Sequence, residues 1–157
     1  MKAASVKELK TALKECPPAQ LIELCLSLAK FKVECKELLT YLLFEAGNEA
    51  AYIQEVKHTI TLQFEAINTA NYYYIKKSVR KILRNVKKYI RYSKQKETTA
   101  ELLLHFCTEV KRNYPNMKSS KALQNIYNRQ VEALQKTINT LHEDLQYDYT
   151  EELKSLL

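Results

Sequence analysis

Apolar residues recur at spacings of three and four along most of the chain, the period of an amphipathic helix. Leu9, Ala12 and Leu13 predict a short first helix, opened by Ser5 and Glu8 three apart as a capping box. Pro17-Pro18 stops it, and Pro18 suits the first turn of a second helix that ends near Phe31. Leu21, Leu24, Cys25 and Leu28 are the expected core positions of that second helix. A third helix is predicted over 33–46, where Leu38, Leu39, Leu42, Leu43 and Phe44 make a wide apolar arc. That breadth marks it as the expected central and most buried helix. Gly47 is its expected C-terminal cap, and Asn48 the N-cap of a fourth helix.

Ile53, Val56, Ile60, Phe64 and Ile67 carry the helical pattern onward, and Ile75, Val79, Ile82, Leu83, Val86 and Ile90 resume it. A break at Asn68-Thr69-Ala70-Asn71 is preferred over one long rod, given usual helix lengths of about 8–20 residues. Thr98 and Glu101 form a second capping-box pattern, opening a helix through Arg112, and Pro115 falls in a loop. Tyr127, Val131, Leu134, Ile138, Leu141 and Leu145 alternate spacings of four and three, a heptad seam that continues or re-forms through Tyr149, Leu153 and Leu156. The segments 75–91 and 123–145 are the expected spine. The fold class is all-α: one domain over residues 1–157, as a helical bundle or an irregular stack of helical hairpins, with about six to eight helices.

Composition agrees. A chain of 157 residues with one Gly, three Pro and no Trp lacks the residues that hairpin-rich β folds and Gly-rich phosphate cradles need. The four cysteines form no Cys-x-x-Cys pair, and Cys25 and Cys35 sit on apolar faces as small buried hydrophobes. The charged, amphipathic start and the lack of an apolar run of ~20 residues point to a cytoplasmic protein without a transmembrane segment.

Charge changes the picture more. Ten Lys and Arg lie between Lys76 and Lys96 with no Asp or Glu among them, against a whole-chain net of +7, which leaves −3 elsewhere. On a helical wheel, Ile75, Val79, Ile82, Leu83, Val86 and Ile90 share one arc, and Lys77, Arg80, Lys81, Arg84, Lys87, Lys88 and Arg91 take the opposite side. Tyr73 falls on the basic side, and Tyr74 and Tyr92 along its edge, as candidate stacking groups; Tyr72 points to the apolar side. Solvated faces normally mix signs, because Glu–Lys pairs at i,i+4 stabilise a helix. Here Arg80–Arg84, Arg84–Lys88 and Lys87–Arg91 are like-charge pairs at that spacing.

An acidic protein surface and nucleic acid are the partners this face suits; a membrane surface suits it less, since the apolar face is committed to the core. Two bland readings stand beside these. The strip is a solvated face, or it is braced by the acidic cluster Glu143, Asp144, Asp148, Glu151 and Glu152. His58, His105 and His142 have no metal-pair spacing, Cys107 has no evident catalytic partner, and no calcium-loop pattern occurs, so no cofactor, metal or catalytic site is expected. The chain reads as a non-catalytic binding module, with an enzyme built on an inter-helix pocket a distant alternative. A homodimer through the heptads at 127–145 is open, but the nearly uncharged flanking positions favour packing within the chain.

The spacing Leu9-x-x-Ala12-Leu13 and Leu21-Ile22-x-Leu24 resembles the helix-linker-helix DNA-binding module called SAP over the N-terminal part of the chain. The glycine usual between its helices is replaced by Cys16-Pro17-Pro18, and no Lys/Arg cluster follows Leu21, so no residue role is carried over.

Overall fold

A computed structural model describes residues 1–157. It contains eight α-helices, one π-helical turn, one short 3-10 turn and no strand. The chain divides into two compact units, Met1–Phe44 and Glu45–Leu157.

The first unit holds α1 (Val6–Lys14), α2 (Pro18–Phe31) and α3 (Val33–Thr40), and α3 runs into the π-turn Tyr41–Glu45. Ser5 and Glu8 form the full reciprocal capping box of α1, and Pro18 opens α2. α2 packs on α3, which half-buries Leu21, Ala29, Cys35, Leu38 and Leu39. Tyr41 is the only buried residue of this unit. The expectation that 33–46 is the most buried helix is therefore wrong: Leu42, Leu43 and Phe44 are exposed, as are Leu24, Cys25 and Leu28 of α2. A helix in a hairpin covers one stripe of its neighbour, and apolar arcs as wide as these need neighbours on more than one side. Gly47 is also not a left-handed cap; the one residue with positive φ is Lys94, at the C-terminus of α5 (Tyr72–Ser93).

The second unit is built around α6 (Lys96–Asn113). It packs against α4 (Glu49–Glu65), α5 and α7 (Lys121–Ile138), and α8 (Glu143–Lys154) packs on α7. Leu102, Phe106, Cys107 and Val110 of α6 are inaccessible to solvent, with Ile60, Val79, Val86, Leu123 and Leu134 around them. The rings of Phe64 and Phe106 meet at 5.8 Å. Asn48 caps α4 through the Ala51 amide at 3.2 Å, as expected from its position.

The chain does break between α4 and α5, and Asn71 caps the second helix through the Tyr74 amide at 3.2 Å. Thr98 is not a cap: α6 begins two residues earlier, and the buried Thr98 hydroxyl donates to Glu49 instead. Ser93 donates to the same carboxylate, so one Glu at the start of α4 ties the end of α5 to the start of α6. The heptad seam is divided by a turn at residues 139–142 between α7 and α8. Tyr127, Leu134 and Ile138 are nonetheless buried within this unit. The expected spine of 123–145 is thus two helices. The Tyr127 hydroxyl donates to the Leu156 carbonyl at 2.7 Å and holds the C-terminus down.

No helix is long and apolar enough to cross a membrane.

Candidate anion-binding face

α5 is long because nothing in it breaks a helix: no Gly or Pro lies between the Asn71 cap and the left-handed Lys94. Its inner stripe, Ile75, Val79, Ile82 and Val86, is buried, and Leu83 and Ile90 are half-buried. This anchors the helix by one face and leaves the opposite face to water.

On that face Lys77, Arg80, Lys81, Arg84, Lys87 and Arg91 are all exposed, and none forms an ion pair or a hydrogen bond with another side chain. Lys88 is half-exposed, with its ammonium 5.0 Å from the centre of the Tyr89 ring. From Lys77 to Arg91 the strip runs ~21 Å at the α-helical rise.

The acidic residues of α8 do not brace it. Glu143, Asp144, Asp148, Glu151 and Glu152 are all exposed, and α8 packs on α7. Its ion pairs are local, from His142 to Asp144 and from Lys154 to Glu151. The seven cations named from the helical wheel therefore lie along α5, and the acidic cluster lies on α8.

The tyrosines divide. Tyr73 and Tyr74 are exposed at the start of the helix, edge to face at 5.4 Å, with the Lys76 ammonium 5.6 Å from the Tyr73 ring. Tyr92 is only 7% exposed, so it is a core residue and no stacking surface. The wheel placed it along the edge of the basic side, and packing within the fold covers it. Tyr72 reverses the other way: it is exposed, and its hydroxyl accepts from Ser119 at 2.7 Å, tying the start of α5 to the turn Met117–Ser119.

Beside the strip lies a cleft of about 250 Å³ between α4 and α5, lined by Gln63, Ile67, Ser78, Lys81, Ile82 and Asn85 among others. The Asn85 amide donates to the Gln63 carbonyl oxygen across it at 3.2 Å.

A half-buried polar network joins α4, α6 and α8. Glu101 pairs with Lys57 and accepts from the Tyr149 hydroxyl at 2.6 Å. Burial acts to raise the Glu101 carboxyl, but the hydrogen bonds from Lys57 and Tyr149 outweigh it and hold the group below the usual carboxylate value. His105 Nε2 lies 3.0 Å from the Thr61 hydroxyl and 3.1 Å from the Lys57 carbonyl. Its pKa is lowered, first by burial, and the Glu109 carboxylate only partly opposes this. Glu109, buried, takes Arg112 at 2.7 Å and the Asn113 amide at 3.2 Å. Every member is satisfied by its neighbours, which is the chemistry of a structural clamp.

Cys107 is fully buried, and burial pushes its thiol up to about 12, far from a thiolate at neutral pH. No group of three His, Cys, Asp or Glu side chains is placed to hold a metal ion.

Fold and face together define an all-helical protein with an exposed cationic strip on one helix. Comparison with family models, curated proteins and solved structures yields no match.

Proposed function

We propose that the protein is a non-catalytic helical binding module that docks an acidic partner on the α5 strip. One observation carries this: six exposed cations, Lys77, Arg80, Lys81, Arg84, Lys87 and Arg91, share a helix face without a carboxylate partner. Like charges at i,i+4 cost a helix a few tenths of a kcal/mol per pair, and a face kept for solubility alone gains by interspersing Glu. An anionic surface removes that repulsion on binding and is drawn in by the same field. The reading includes a cytoplasmic setting, where four unpaired cysteines stay reduced.

Nucleic acid is the second reading, and one observation favours it. Tyr73 and Tyr74 stand exposed at the head of the strip, where unpaired bases can stack while the cations follow the phosphates.

The test is binding of poly-glutamate and of oligothymidylate by the wild-type chain, by Arg80→Glu with Arg84→Glu, and by Tyr73→Ala with Tyr74→Ala. The charge reversal is expected to weaken poly-glutamate binding at least tenfold at unchanged helicity, with the tyrosine variant unaffected. Tight oligothymidylate binding that falls with the tyrosine variant, and with salt at ~0.7 per phosphate contacted, moves the conclusion to the second reading. No binding of either polymer at low salt overturns both.

A further inference from the structure

The unit Met1–Phe44 carries a surface that the α5 reading does not use. Along α2 the apolar arc spans far more than a single stripe. Leu21 and Ala29 at its middle are half-buried against α3, while Leu24, Leu28 and Phe31 flank them on one side and Ile22 and Leu26 on the other, all exposed. Phe31 is 78% and Leu28 65% exposed. The π-turn adds Leu43 and Phe44 at 64% and 74%. A helix apolar over so much of its girth belongs inside a core. α1 repeats the pattern on a smaller scale, with Val6, Leu9 and Leu13 exposed and no residue buried.

Two quantities say what covers this surface. The first is area. Taking ~150 Å² for each large apolar residue, the exposed fractions along α2 and the Tyr41–Glu45 turn come to roughly 700 Å². That total approaches the ~800 Å² per partner of a stable interface. Its apolar character is that of homodimer interfaces, which resemble a core cut in half.

The second is charge. A two-fold contact sets a patch against its own copy, so a patch of one sign repels itself. The α5 strip is excluded as a self-contact on that ground. The N-terminal unit is not, because its seven lysines face five glutamates interspersed through the same helices.

We propose that the occupant is a second copy of this chain, with α2 and the Tyr41–Glu45 turn forming a two-fold dimer contact. The heptad residues of α7 play no part, since Tyr127, Leu134 and Ile138 are already buried in their own unit. The proposal stands apart from the identity of any anionic partner, since it uses none of the strip.

Sedimentation equilibrium of the full chain at micromolar concentration tests it. The expected mass is twice the 18.4 kDa of one chain. Leu28→Glu with Phe31→Glu is expected to sediment as a single chain with helicity retained. Should that double variant lose helicity, Leu28→Lys alone serves: its dimer dissociation constant is expected to rise at least tenfold, and an unchanged constant overturns the proposal. So does a wild-type chain that sediments at 18.4 kDa, one that associates without limit, or one that binds neutral phosphatidylcholine vesicles as a monomer.

Discussion

The segment 33–44 and helix α6 (Lys96–Asn113) are both Leu-rich with an aromatic near the middle or end, and their surroundings are opposite. Leu102, Phe106 and Val110 of α6 touch no solvent, because α4, α5 and α7 each cover one side. Leu42, Leu43 and Phe44 stand in water, because the three-helix unit that holds them has α2 alone as a substantial neighbour of α3. Apolar content says that a surface needs covering. How many helices surround it decides whether it is covered, and two helices cannot enclose a third on all sides.

The largest contrast to break lies between two phenylalanines. Phe106→Ala removes a ring with no solvent contact and is expected to cost about 3–5 kcal/mol. Phe44→Ala is expected to shift the main unfolding transition by less than about 0.5 kcal/mol, as a surface change does. Urea unfolding followed by circular dichroism, at concentrations too low for self-association, measures both. Equal losses would erase the distinction between the two segments.

Next in size is the polar clamp that only the second unit possesses. Tyr149→Phe deletes the hydroxyl bonded to the Glu101 carboxylate and is expected to cost about 1.5 kcal/mol, read from the same urea curves. No change would mean that Glu101 is held by Lys57 alone.

The clamp also sets a pH dependence. The folded pKa of His105 is lowered, chiefly by burial, so the unfolded chain takes up the proton first. Stability from this group is full above the unfolded value of about 6.5 and is lost as pH falls through the lower folded value. His105→Gln is expected to flatten that decline between about pH 7 and pH 5, in urea midpoints taken across the range. An equally steep fall in the variant would place the acid sensitivity elsewhere.

The smallest expected effect on stability is the most pointed. Arg80→Glu with Arg84→Glu should leave the unfolding midpoint within about 0.5 kcal/mol, because neither side chain has a partner to lose. A large loss would mean that the strip is a brace after all.

Much of the local structure is legible in the sequence. Ser5, Asn48 and Pro18 mark helix starts, and residues 68–71 mark the break between α4 and α5. The two sides of α5 follow from its wheel, and the six cations opposite the apolar arc are exposed as that wheel requires. What is not legible depends on neighbours. Tyr92 and Tyr73 lie on the same helix, and only the packing of α5 buries one and exposes the other. Thr98 has capping chemistry, yet Glu49, 49 residues earlier, claims its hydroxyl. The turn at 139–142 contains neither Gly nor Pro, so an unbroken heptad reads straight through it. The Lys57–Glu101–Tyr149 clamp joins residues 44 and 48 apart, at no spacing that a helix prescribes.

The central claim is that the α5 cations are open and available to an anion. Titration of poly-glutamate into the wild-type chain and into Arg80→Glu with Arg84→Glu, across a range of salt, tests it most directly. Wild-type binding is expected to weaken steadily as salt rises, and the variant to lose at least tenfold in affinity at low salt. Equal affinity of the two proteins, or no binding by the wild type at low salt, would contradict it.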